Sequence, residues 1–344
     1  MSTTQPAVSR FRAYLRFVVA VVWFFLARSL ARQESHQLVN EQWRPVAEQA
    51  MLLILLLVGY ASMGLTFDRQ QHPVREQGLP RRSGWKGEAG LGLAVGWALA
   101  VVCVLPMIVG GGIAIVLMLG PASWVWLVVD AAFFALLALA EEVAFRGYGF
   151  QRFAESVGSA GAVLGFAAFY AIVQGLLPGS NRASIAVSIA LSIVLSTAYL
   201  RTRALWVSWG INFGWKASRS LLFGLAVSGA NSHSPVVQGN PMGPFWLTGG
   251  GYGLDGSWVA LAVLLAALPV VYHLTRDLDF RYNAPVIVPG GIAVDLDAAA
   301  RRQHEAAMGA SEPAAPGLVQ ILSAATPAST GSEKTPAGQP PAAV

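Results

Sequence analysis

Glu141, Glu142 and Arg146 follow an almost unbroken apolar run, in the stretch LALAEEVAFRGYGFQRF. On a helix Glu142 and Arg146 stand four residues apart and share a face, so they can pair as ions. Glu141 is rotated about 100° away and projects elsewhere. Asp130 lies eleven residues before Glu141, close to three full turns, and so falls on nearly the same face. One helix therefore offers a paired carboxylate and a second, less constrained one. A carboxylate that faces a dry cavity can take a proton from water, which is the chemistry of a general base. The bland reading places Glu142 and Arg146 at headgroup level, where charge costs little.

The rest of the chain sets those surroundings. Its 344 residues are 55% hydrophobic and only 12% charged, with a mean hydropathy of +0.53. A soluble domain carries about 25% charge, so this is a membrane protein. The net charge of +5 comes without a dense Lys/Arg stripe, which argues against nucleic acid. Cys103 is the one cysteine, which excludes an intrachain disulfide and a cysteine zinc cluster.

Eight apolar segments stand out, at 13–31, 49–66, 89–117, 123–146, 158–177, 184–200, 204–224 and 257–275. A span needs about 20 such residues. The fold class expected is all-α, a polytopic membrane protein of about eight transmembrane helices. The first segment is short in its apolar core and reads as a signal-peptide region, an interfacial helix or a span, with the span preferred. Pro106 and Gly110-Gly111-Gly112 call for a kink or break in the third. Trp124, Trp126, Trp206 and Trp209 read as interfacial anchors, and Arg219 as a snorkelling cation or a continuation of the Lys216 face.

Basic loops give the orientation. Arg10, Arg12 and Arg16, the 67–88 loop, Arg152, Arg201 with Arg203, and Arg276 with Arg281 all fall on one side if eight helices cross. Both termini are then cytoplasmic. The misfit is the first outer loop, with Arg28, Arg32 and Arg44. The expected division is 1–88 for N-terminal spans and basic loop, 89–275 for the membrane core, and 276–344 for a cytoplasmic tail, disordered from about 298.

EEVAFRGYGFQRF resembles the first signature of the CPBP family, the CAAX-protease and bacteriocin-processing membrane proteins: two glutamates, three residues, arginine. The order and spacing of the later spans extend the resemblance over roughly residues 90–275. It implies an intramembrane endopeptidase in which the first glutamate, here Glu141, activates a water. It also implies two later histidines, an asparagine or aspartate, and a metal, with zinc expected. Here the chain departs. In GFAAFYAIVQGLLPGSNRAS the best frame puts Tyr170 at the family's phenylalanine and Gln174 at its histidine. In GINFGWK, Asn212 takes the second histidine position and Lys216 the asparagine position.

The five histidines, His36, His72, His233, His273 and His304, lie at no motif position; the first two read as loop residues. Zinc needs three or four N, S or O donors, so no metal and no other cofactor is expected. Glu141, Gln174, Asn212 and Lys216 are the candidate site residues, with Glu142 and Arg146 a structural ion pair and Asp130 a candidate for the cavity wall.

Two further readings of this set stay open beside a peptidase with an altered site. A Glu141–Lys216 pair flanked by amides would make a silent scaffold, regulator or immunity-type protein. Charged residues along a path would make a carrier, although no inverted repeat is visible. Expected partners are the bilayer and a membrane protein or peptide, with no nucleic acid.

Overall fold

The computed structural model describes residues 7–230 and 236–282. The tail expected to be disordered, with His304, and His233 in the outer loop lie outside those residues. The chain begins with α1 (Ala7–Leu38), α2 (Arg44–Phe67) and a single turn, α3 (Pro73–Glu76). Next come α4 (Trp85–Val109), β1 (Ile113–Leu117), α5 (Pro121–Arg146) and α6 (Tyr148–Val157). Then follow α7 (Ser159–Gly175), α8 (Arg182–Thr202) and α9 (Leu205–Ala217), with a π-helical turn over Ser218–Leu222. The last elements are β2 (Val237–Pro241), α10 (Phe245–Thr248), α11 (Trp258–Leu274) and α12 (Arg276–Tyr282).

Among the described residues the fold is all-α apart from a two-stranded ladder. Among the described residues five helices are long and apolar enough to cross a membrane: α1, α2, α4, the α5–α6 stretch and α8. The apolar helices α7 and α11 are shorter. Each of the eight apolar segments of the sequence contains a helix. The first is no short hydrophobic patch but a helix of 32 residues, about 48 Å long at 1.5 Å per residue. His36 sits in its last turn rather than in a loop. The third segment ends at Val109 after Pro106. The apolar IAIVL beyond it forms β1, antiparallel to β2, rather than more of a span.

Charge sorts the two ends of the bundle. At one end Arg16 and Arg152 both pair with Asp68. At the same end Arg82 bridges Glu88 and the Thr202 carbonyl, at 2.7 Å each. Arg201 there meets Asp279 of α12 at 3.0 Å. The start of α1 and the described C-terminal helix therefore share the basic end. The ladder and the loop around Tyr252 form the far end.

What positions the site is a helix crossing made of glycines. Gly92 and Gly96 of α4 face Gly210 and Gly214 of α9, four residues apart on each helix. A Cβ on Gly92 would come within 2.2 Å of the Val207 carbonyl oxygen, and one on Gly96 within 2.2 Å of that of Ile211. A Cβ on Gly210 would meet the Ala89 carbonyl oxygen at 2.4 Å. Small residues let helix backbones touch in this way, and van der Waals contact then holds them without a hydrophobic driving force. The crossing fixes the rotation and depth of α9, which carries Asn212 and Lys216.

Candidate functional site

α5 starts on Pro121 at its first turn, where a missing N–H costs nothing. It ends at Gly147, where a Cβ would lie 2.3 Å from the Val143 carbonyl oxygen, so the turn into α6 needs glycine. Glu141, Glu142 and Arg146 stand in the last two turns before it.

Glu142 and Arg146 face protein rather than headgroups or lipid. Both side chains are 0% exposed, and Arg146 Nη1 lies 3.4 Å from Glu142 Oε1. Arg146 also donates to Ser192 Oγ at 2.9 Å and to the Ser192 carbonyl at 3.1 Å on α8, and reaches Ser196 Oγ at 3.5 Å. Its guanidinium stands over the Tyr170 ring, 5.6 Å from the centroid. Glu142 in turn accepts from Asn212 Nδ2 at 3.2 Å. The pair therefore ties α5 to α7, α8 and α9 inside the protein. A buried pair needs such extra hydrogen bonds to offset its desolvation.

Glu141 points the other way, as its rotation requires. Lys216 Nζ lies 2.9 Å from Glu141 Oε1, and Asn212 Nδ2 donates to Glu141 Oε2 at 2.9 Å. The Asn212 amide thus bridges the two neighbouring carboxylates. Glu141 and Lys216 line a cavity of about 280 Å³ with Gln174, Arg28, Glu48 and Ser228. Apolar side chains such as Phe24, Leu52 and Val173 complete its wall. The Glu141 side chain keeps 15% exposure there and Lys216 5%. Gln174 does not touch Glu141; its Nε2 donates to the Tyr170 hydroxyl at 2.9 Å, on the same wall.

Asp130 shares a face with Glu141 but not its cavity. It is buried about 16 Å away along α5, while α5 lines the cavity only between Leu137 and Phe145. Arg219 neither snorkels nor joins the cavity. It is 0% exposed, with Nη1 2.6 Å from Asp255 Oδ1 and its guanidinium over the Trp215 ring. Asp255 also accepts from Trp215 Nε1 at 3.2 Å and from the Ser228 hydroxyl at 2.9 Å. Burial alone would raise the Asp255 carboxyl, but the charges of Arg219 and then Lys216 outweigh it and hold it below the usual carboxylate range. The sequence reading passed over Asp255, which sits in a glycine-rich turn 36 residues beyond its partner. An acidic residue inside a loop otherwise free of charge was the available signal. Trp209 is held by protein: it donates to the Ala135 carbonyl at 3.0 Å and stacks on Phe213.

The metal that the family resemblance implies does not fit these residues. Among the described residues no group of three or more His, Cys, Asp or Glu could hold an ion. Around Glu141 the donors are two amides, and an ammonium group already occupies one carboxylate oxygen. The arrangement can instead hold a carboxylate in fixed orientation against a small cavity. A carboxylate has about four lone-pair positions, and Lys216 and Asn212 use two, so a water in the cavity can still bind.

A family model described as Rce1-like, type II CAAX prenyl endopeptidase, matches residues 120–218. No curated protein and no solved structure matches the chain. The matched segment runs from the start of α5 to the end of α9 and contains every residue bonded to Glu141. The chain is an integral membrane protein, and its residues 120–218 are similar to the Rce1-like family of type II CAAX prenyl endopeptidases.

Proposed function

We propose that the chain is an intramembrane endopeptidase of CPBP type that works without a metal. The observation that carries this reading is Glu141, a carboxylate held on both oxygens and turned onto a cavity, inside the segment that matches the endopeptidase family. Glu141 takes a proton from a water, and the water oxygen attacks the peptide carbonyl carbon. Lys216 and the second N–H of Gln174 receive the developing oxyanion. The proton on Glu141 passes to the departing amine as the C–N bond breaks. Asn212 is a positioning residue, since it orients Glu141 and Glu142 together.

The partners are the bilayer and a membrane-borne peptide, not nucleic acid. The basic loops support a cytoplasmic-membrane orientation with both termini inside, by the excess of Lys and Arg on cytoplasmic loops.

A second reading rests on the 2.9 Å contact of Lys216 with Glu141. A cation so close makes a carboxylate a weaker base, and the pocket then serves as a neutral polar plug in a scaffold, regulator or immunity-type protein. Cleavage of a broad peptide library by the reconstituted protein, with and without chelator, separates the two. Cleavage that survives chelator and disappears in Glu141→Ala supports the peptidase. No cleavage by well-folded protein supports the plug.

A further inference from the structure

The far end of the bundle carries an apolar surface that the peptidase reading leaves unused. β1 is Ile-Ala-Ile-Val-Leu, and four of its five residues are exposed. Met118 and Leu119 after it are exposed, as are Met242, Phe245 and Trp246 beyond β2. No Asp, Glu, Lys or Arg occurs between Glu88 and Asp130, or between Arg219 and Asp255. Trp124, at the start of α5, and Trp258, at the start of α11, stand about half exposed at the same end.

Two physical demands bear on this surface. Its side chains call for lipid, because an exposed apolar patch of this extent is costly in water. Its backbone forbids the hydrocarbon core, because the ladder has only two strands and β1 is paired with a strand along one edge alone. Unpaired N–H and C=O groups do not occur against lipid tails. One layer meets both demands: the membrane interface, where apolar and aromatic side chains insert and the backbone still reaches water and headgroups.

We infer that the β1–β2 ribbon and the Met242–Trp246 turn lie in the outer interfacial layer of the bilayer as a lipid-bound anchor. The ribbon is continuous with the cavity wall. The Gly239 N–H donates to the Gly224 carbonyl at 3.1 Å, and a Cβ on Gly239 would strike the Phe223 carbonyl oxygen. Three residues further on, Val227, Ser228 and Ala230 line the cavity of Glu141. An anchor at this point holds that wall at the level of the outer leaflet, and it does so whether or not the pocket hydrolyses peptides.

The test is spin labelling of the full chain in nanodiscs at Val116→Cys, Leu117→Cys and, separately, Trp246→Cys. Cys103 is buried, and unlabelled wild-type protein checks that it stays unreactive. Collision rates with oxygen, which favours lipid, and with a water-soluble nickel chelate report each label's surroundings. The inference expects oxygen to exceed nickel several-fold at Leu117 and Trp246, at a depth just below the headgroups. Nickel access equal to that of a label at Glu76→Cys would overturn it in favour of a solvated ribbon. Protection from both reagents would overturn it in favour of a protein partner or a second copy. Three independent positions keep the test standing if one variant fails to fold.

Discussion

Removing Lys216 should unbalance the site in a way that only a change at Glu141 repairs. Lys216 is 5% exposed and pairs with Glu141. In Lys216→Met the Glu141 carboxylate keeps the Asn212 hydrogen bond and the cavity, but loses its counter-charge. Breaking a buried pair costs about 3–5 kcal/mol; with 15% exposure and one donor left, the lower end applies, about 3 kcal/mol. Glu141→Gln strands the ammonium instead and should cost about the same. The double variant leaves neither charge uncompensated, so it should be no worse than either single one. The coupling is then about 3 kcal/mol. Detergent titration from mixed micelles, followed by tryptophan fluorescence, gives the three stabilities. If the double variant loses the sum of the two single losses, the pair does not act as a unit and the electrostatic account of the site is wrong.

Other residues give separate checks. Gly96→Leu places a Cβ 2.2 Å from the Ile211 carbonyl oxygen; backbone cannot yield there, so the loss should reach about 3 kcal/mol or abolish folding, read by the same titration. Arg146→Met leaves Glu142 buried without a cation and removes the bonds to Ser192 and Ser196. It should cost about 3–5 kcal/mol, and adding Glu142→Leu should recover most of it. Asp255 has a lowered folded pKa, so its stabilisation is present above the unfolded value of about 4 and is lost as pH falls through the folded one. The stability advantage of wild type over Asp255→Asn should be full at pH 7 and shrink below about pH 4.

Helical content and the membrane setting were legible because apolar run length reports them directly. The two faces of α5 were legible too: a 100° rotation separates Glu141 from Glu142 whatever surrounds them. What periodicity could not supply was depth and partner. Arg146 looked like the end of a span because Arg152 follows it, yet Ser192 and Ser196, one turn apart on α8, bury it completely. Both glycine pairs were visible in GLGLAVG and GINFG, but their meaning depends on two helices meeting, which no single-helix pattern states. IAIVL merged with the preceding span because its apolar content is the same; only the break at Gly110-Gly111-Gly112 marked it as a separate element. Gln174 fell on the cavity wall but bonds Tyr170, a contact four residues along its own helix.

The central claim is that Glu141 itself moves the proton. Glu141→Gln keeps the shape and a hydrogen bond to Lys216 or Asn212, yet cannot act as a base. With folding checked by tryptophan fluorescence, it should slow cleavage of a peptide substrate by at least about 10²-fold, with chelator present throughout. Cleavage at the wild-type rate by folded Glu141→Gln protein would contradict the account.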